Sequence, residues 1–224
     1  MQPPSRFDLL PLRQRKFART KLGLLDALVT AIRKRPLENV TVKELCETVA
    51  ISEASFFNYF PRKTDVLTYY VQLWSIEMAW YGREFAEARG GLGAIEEIFA
   101  MTARRVAENP APMGEIVAQQ ARMTQPVDFA AISVAERLLA FPDLDGIEDV
   151  DGQGLESLLP PLIERAVRAG ELPRRTDRDA VLVALATIFL GLPVVLRRSP
   201  PAALESAYLS QLRLLWAGLR SSGT

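Results

Sequence analysis

Residues 51–67, ISEASFFNYFPRKTDVL, bring together side chains suited to holding a nucleic acid. Phe56, Phe57, Tyr59 and Phe60 crowd into five positions, with Ser52, Ser55 and Asn58 set among them and Pro61-Arg62-Lys63 following at once. Serine and asparagine can bond base edges or phosphates, and an aromatic ring can lie on a thymine methyl or a sugar. A lysine at the start of the next helix, helped by that helix's free amides, can clamp a phosphate.

Other chemistry is limited by composition. The 224 residues contain no histidine and one cysteine, Cys46. Ser-His-Asp and Cys-His catalysis, two-His zinc motifs and Glu-x-x-His metal sites are therefore excluded, as are an internal disulfide and any multi-cysteine metal site. No metal site, cofactor or catalytic residue is expected. A helical-bundle enzyme using Glu77 or Glu84 as acid or base is the rival class, but no recognisable carboxylate pair supports it. A protein-interaction module is a second rival, and it would not need a basic head.

The formal net charge is zero, yet its distribution is uneven. Up to Lys63 there are twelve Lys and Arg against six acids, a net charge of +6, and the remainder carries −6. All five lysines lie in that first part. A basic head on an acidic body is the asymmetry expected when one end meets a polyanion. The N-terminus, MQPPSRFDLLPLRQRK, has no apolar h-region and reads as a ragged arm, and the cytoplasm is the expected compartment.

These residues are positioned by helices, since strand signals are poor and 3.6-residue periodicity recurs throughout. A first helix is expected from about Arg13 to Lys34, with Phe17, Leu24, Leu25, Leu28 and Ile32 on its inner face. Thr41-Val42-Lys43-Glu44 is a capping box that starts a second helix at Val42, ending near Val49. Ser52 caps a third helix ending near Tyr59. Two short helices joined by Ala50-Ile51-Ser52 must cross steeply, as in a helix-turn-helix. Leu45, Val49, Ile51, Phe56 and Phe60 then face inward, and Glu53, Ala54, Ser55, Phe57, Asn58 and Tyr59 face out.

Further helices are expected at about Lys63–Ala88, Gly93–Asn109, Met113–Met123, Val127–Phe141, Leu155–Ala169, Asp177–Arg197 and Pro201–Leu219. Pro160-Pro161 offers an alternative start for one of them. The fold class is all-α: a head over residues 1–62 and a helical body over 63–224.

The stretch LLDALVTAIRKRPLENVTVKELCETVAISEASFFNYFPRKTDVL resembles the N-terminal domain of tetracycline-repressor-type (TetR) transcriptional regulators, over about residues 13–67. The resemblance implies a homodimer that binds double-stranded operator DNA, with a three-helix DNA-binding head and a ligand-binding body. It places DNA contacts on Thr41, Lys43, Glu53, Ala54, Ser55, Phe57, Asn58, Tyr59 and Lys63. Two positions depart from the family pattern: Ala50 stands where the turn glycine is usual, and Glu53 puts an acid on the reading helix.

In the body, Trp74, Met78, Tyr81, Met123 and Phe189 belong to an aromatic and methionine series that suits an apolar cavity for a small-molecule effector. Arg105, with Arg104 and Arg122, could pair an anionic ligand. The uncharged run AVLVALATIFLGLPVVL, residues 180–196, falls short of a membrane span and reads as a helix buried on all sides, in a core or between subunits. The family resemblance makes this helix and the last one the dimer interface. An intramolecular core is the alternative. Asp143 to Gly152 reads as an acidic, mobile loop, because its spacing fails as a calcium loop.

Overall fold

The computed structural model describes residues 5–124 and 129–221, and among these every regular element is helical. α1 (Leu12–Ile32) leads through a 3-10 turn (Leu37–Asn39) to α2 (Val42–Val49) and α3 (Glu53–Tyr59). α4 (Lys63–Glu108) follows, then α5 (Ala111–Arg122) and α6 (Val134–Ala140). A second 3-10 turn (Ile147–Asp149), α7 (Leu155–Arg168), α8 (Arg178–Val195) and α9 (Ala203–Ser221) complete the chain.

α4 is two helices in one. The break expected at Gly90-Gly91 is a bend at Gly90, where φ is 75°, and helix resumes without a loop. At this bend the Glu171 carboxylate accepts from the amides of Gly91 and Leu92, at 2.8 and 3.0 Å. It thus supplies partners that a helix start lacks. Gly91 permits the close approach of α7: a Cβ there would lie 2.3 Å from the Leu162 carbonyl oxygen.

Two hydrophobic clusters meet along α4. The first joins α1–α3 to Val66, Leu67, Tyr69, Leu73 and Ile76 of α4, to Ala135 and Leu138 of α6, and to Ile147 and Val150. The second fills the body between the later part of α4 and α7, α8 and α9.

Several expectations need correction. On α1, Leu24, Leu25, Leu28 and Ile32 are buried, but Phe17 is 40% exposed and Lys21 is buried in its place. The Lys21 ammonium lies 2.7 Å from the Glu136 carboxylate of α6 and 4.2 Å from the Tyr69 ring centroid. A stripe rule cannot foresee a lysine whose partner lies so far along the chain. The expected helix from Val127 begins outside the described residues. Its observed start is at Val134, set by a Ser133–Glu136 capping box.

Pro160 and Pro161 lie inside α7 and do not start it. The segment 143–152 is no free loop: Ile147 and Val150 are buried, and Trp80 Nε1 donates to the Asp145 carbonyl at 2.7 Å. The N-terminal arm is docked too. Phe7 is buried beneath Arg19, and Arg6 pairs with Glu148. Finally, α8 is not buried on all sides within the chain; only Val181, Leu185 and Phe189 are fully buried.

Candidate nucleic-acid interface and body cavity

The helix-turn-helix is fastened by short-range hydrogen bonds. Thr41 Oγ1 accepts from the Glu44 amide at 3.2 Å, and the Glu44 carboxylate accepts from the Thr41 amide at 2.9 Å. Arg35 bonds the other Glu44 oxygen, and that bond is the main reason this carboxyl lies below its ordinary range. α2 ends at Ala50, which is left-handed (φ 55°, ψ 47°) and is the one non-glycine residue with positive φ among the described residues. A left-handed alanine costs roughly 1–2 kcal/mol. Ser52 Oγ then accepts from the Ser55 amide at 3.1 Å and starts α3. Cys46, buried below the turn, donates its thiol to the Ser52 carbonyl. Burial first, then Glu53 and Glu47, push that thiol's pKa up.

The crowded rings divide between two faces. Phe56 and Phe60 are buried, with centroids 6.0 Å apart, and Phe60 continues to Tyr69 of α4 at 5.5 Å. Phe57 turns outward and is 51% exposed. Tyr59 leans on the Phe17 ring of α1 at 5.0 Å, which leaves it half-buried. Glu53, Ala54, Phe57 and Asn58 are exposed on α3, and Thr41 and Lys43 on the adjoining start of α2. Ser55 is half-buried, its hydroxyl 2.9 Å from that of Ser52. The face is mostly short side chains around one flat ring, a shape that lets a helix backbone approach a groove floor.

Lys63 differs from the open clamp expected of it. Its ammonium donates to the carbonyls of Leu37 and Val40, at 2.6 Å each, tying α4 to the 3-10 turn before α2. Much of the head's other positive charge is also engaged. Lys21 pairs with Glu136, Arg35 with Glu44 and Arg62 with Asp65. Arg13, Lys16, Arg33 and Lys34 have no ion pair among the described residues, and Lys43 has only a 4.0 Å contact with Glu47.

The body holds a cavity of about 680 Å³. Of the residues named from the sequence, Trp74, Arg105, Met123 and Phe189 stand on its wall. Met78 and Tyr81 do not. Met78 is closed into the second cluster, and Tyr81 stacks on Phe85 with centroids 5.8 Å apart. The wall also includes Tyr70 and Met113 of the same aromatic and methionine series, and it adds Asn109, Gln120 and Gln153, which carry no local signature that could have singled them out. A second chamber of about 510 Å³ shares Tyr70, Trp74 and Arg105 with the first and is bounded by Arg19, Leu22 and Asp26 of α1. Arg105 grips Glu77 end-on, with Nη1 and Nη2 each 2.8 Å from a carboxylate oxygen. The anionic partner expected for Arg122 is Glu38, at 2.6 Å, and Arg104 bonds Glu205 at 2.8 Å.

A helix-turn-helix head thus shares one long helix with a hollow helical body. Residues 24–70 match the family model described as bacterial regulatory proteins, tetR family. The fold agrees. FadR of Thermus thermophilus, a TetR-family transcriptional repressor solved with lauroyl-CoA, superposes with a TM-score of 0.63 at 19% identity, covering 87% of this chain and 92% of that one. FadR of Bacillus subtilis, solved with stearoyl-CoA, gives 0.58 at 15% identity, covering 88% and 98%. A putative TetR-family regulator from a Shewanella species gives 0.54 at 14% identity, covering 89% and 97%. No curated protein matches the sequence. Residues 24–70 thus carry the match to this family's domain, and the chain as a whole shares the fold of these structures.

Proposed function

We propose that the protein is a cytoplasmic homodimeric repressor. It binds a pseudo-palindromic operator through α3 and leaves it when a small, largely apolar molecule fills the body cavity. The observation that carries this reading is the course of α4. Its first turns close the helix-turn-helix through Phe60 and Tyr69, and its later ones line the cavity with Tyr70, Trp74 and Arg105. A ligand pressing on those rings shifts the helix that carries the reading head, and such coupling is typically worth about 1–3 kcal/mol.

The DNA face in this reading is Glu53, Ala54, Ser55, Phe57, Asn58 and Tyr59 on α3, with Thr41 and Lys43 on α2. Asn58 and Ser55 read bases, and Lys43 meets phosphate. Lys63 acts chiefly by holding α4 against the 3-10 turn. The functional head spans residues 1–62 and the body 63–224. An enzymatic role gains no support, since Glu77 is held by Arg105 and Glu84 is exposed.

The dimer forms through α8 and α9. Val183, Val194, Val195 and Leu214 expose 66, 41, 75 and 64% of their surface, and a Cβ added at Gly191 would meet nothing within 4 Å. Long apolar stretches of this kind are covered by a partner in soluble proteins. α8 is apolar and long enough to cross a membrane, but among the described residues it is the one such helix, and one face of it is already packed in the body. Pairing with the same helices of a second copy gives a four-helix interface about a two-fold axis.

Selection of bound fragments from genomic DNA, followed by footprinting, tests the proposal. The expected result is a two-fold-related site whose half-sites lie about 34–36 Å apart. Binding that is indifferent to sequence and vanishes with salt would refute it.

A further inference from the structure

Arg105 is the only cation among the described residues that line the main cavity, and Glu156, exposed at the start of α7, is the only acid. Its bond to Glu77 uses one hydrogen on each terminal nitrogen. A guanidinium has five N–H donors, and its side edge, formed by Nε–H and the neighbouring terminal N–H, matches a second two-oxygen acceptor. Among the described residues that edge has no partner, and the Arg105 side chain is 38% exposed. Glu77, 15% exposed, holds the group in one orientation, so little rotamer freedom remains to be lost when an anion arrives.

Tyr70 lines both chambers beside Arg105. Burial is the main influence on its phenol and raises its pKa, so it stays protonated and can donate. No hydrogen bond engages that hydroxyl among the described residues. The remaining wall is largely apolar: Trp74, Met113, Ile116, Met123, Phe189 and Leu190.

We infer that the effector is an amphipathic monoanion, an apolar body ending in a planar carboxylate, seated on the free edge of Arg105 and the hydroxyl of Tyr70. The charge of Glu77 selects for a single negative charge. One guanidinium can serve two carboxylates, but a dianionic group would leave a second excess charge in a poorly solvated wall. Arg105 and Tyr70 line both chambers, and the second of these is bounded by α1. An anion drawn to Arg105 therefore lies against the second chamber, within reach of the head's first helix. The inference rests on the proposed ligand-responsive regulator and specifies the ligand.

The test uses dodecanoate and dodecan-1-ol as matched probes, below their micellar concentrations, with the full-length dimer. Calorimetry or quenching of tryptophan fluorescence reads binding, and operator binding is measured on the same samples. The acid should bind at least about tenfold more tightly than the alcohol, the lower end of what a charge-assisted hydrogen bond confers. Arg105→Gln should reduce the ratio to about threefold or less. Arg105→Lys should keep part of it, and Arg104→Gln, on the outer surface, all of it. If Arg105→Gln alone unfolds by stranding Glu77, the double variant Glu77→Gln/Arg105→Gln replaces it.

Equal affinity for acid and alcohol, no binding of either, or a preference that survives loss of Arg105 in a folded variant would each overturn the inference. Operator binding separates these failures from failure of the regulator reading. A protein that binds its operator yet ignores the carboxylate refutes the ligand class only.

Discussion

The head and the body treat their apolar residues differently. In the head, Leu24, Leu28, Leu45, Phe56 and Phe60 are closed against α4, and the large apolar side chains left outside are Leu9, Leu12, Phe17 and Phe57. Phe57 projects from α3 itself, and Phe17 lies beside that helix against Tyr59. In the body, all the large exposed apolar residues but Val134 of α6 gather on α8 and α9, and the interior keeps a cavity of about 680 Å³. The head is a finished surface awaiting a rigid partner. The body is unfinished on one outer face and hollow inside, which suits a second chain and a ligand.

The largest test breaks the joint between the two regions. Lys21 and Glu136 form a pair that is nearly fully buried, with side chains 7% and 1% exposed. Lys21→Met should destabilise the protein by about 3–5 kcal/mol by stranding the carboxylate, and Lys21→Met/Glu136→Gln should recover most of it. Urea denaturation measures both. The pair also predicts acid sensitivity. Burial alone would raise the Glu136 pKa, but Lys21 and the Ser133 bonds reverse this and hold it below the ordinary glutamate range. The carboxylate's contribution to stability is therefore present above the unfolded-state value and is lost as the pH falls through the lower folded one. Lys21→Met/Glu136→Gln should lose less stability on acidification than the unaltered protein.

The next test concerns the unfinished face. Val195→Asp with Leu214→Asp should weaken dimerisation by about a hundredfold or more, given what burying each side chain contributes, and light scattering would report it. The head should still be folded in the monomer. If the protein stays dimeric, the interface lies elsewhere. The smallest effect belongs to the turn. Ala50→Gly should stabilise the head by about 1 kcal/mol, since glycine accepts the left-handed backbone without strain, and thermal melting would detect it.

What could be read in the sequence was largely local. The Thr41–Glu44 box, the Ser52 cap and the bounds of α2 and α3 depend on partners three residues away, and the structure has them in place. The division of the rings was also legible for Phe56 and Phe60, because their helical spacing puts both on one face. Partners far along the chain were not legible. Lys21 meets Glu136, Lys63 meets Leu37 and Val40, and Glu171 caps the bend at Gly90. On the cavity, an aromatic series gave Trp74 and Phe189 but also Met78 and Tyr81, since periodicity cannot tell a filled interior from a hollow one.

One helix serving both clusters has a consequence for how the molecule melts. Val66, Leu67, Tyr69, Leu73 and Ile76 cover the head's interior from beyond residue 62, and Ala135, Leu138, Ile147 and Val150 join them from farther on. Freed from them, residues 1–62 would open Phe56, Phe60 and Leu28 to water. The unit proposed to contact DNA is therefore smaller than the unit that folds. Opening of the head should share a foldon with α6 and the first turns of α4, and slow hydrogen exchange at Leu45 and Phe56 should rise and fall with that at Leu138.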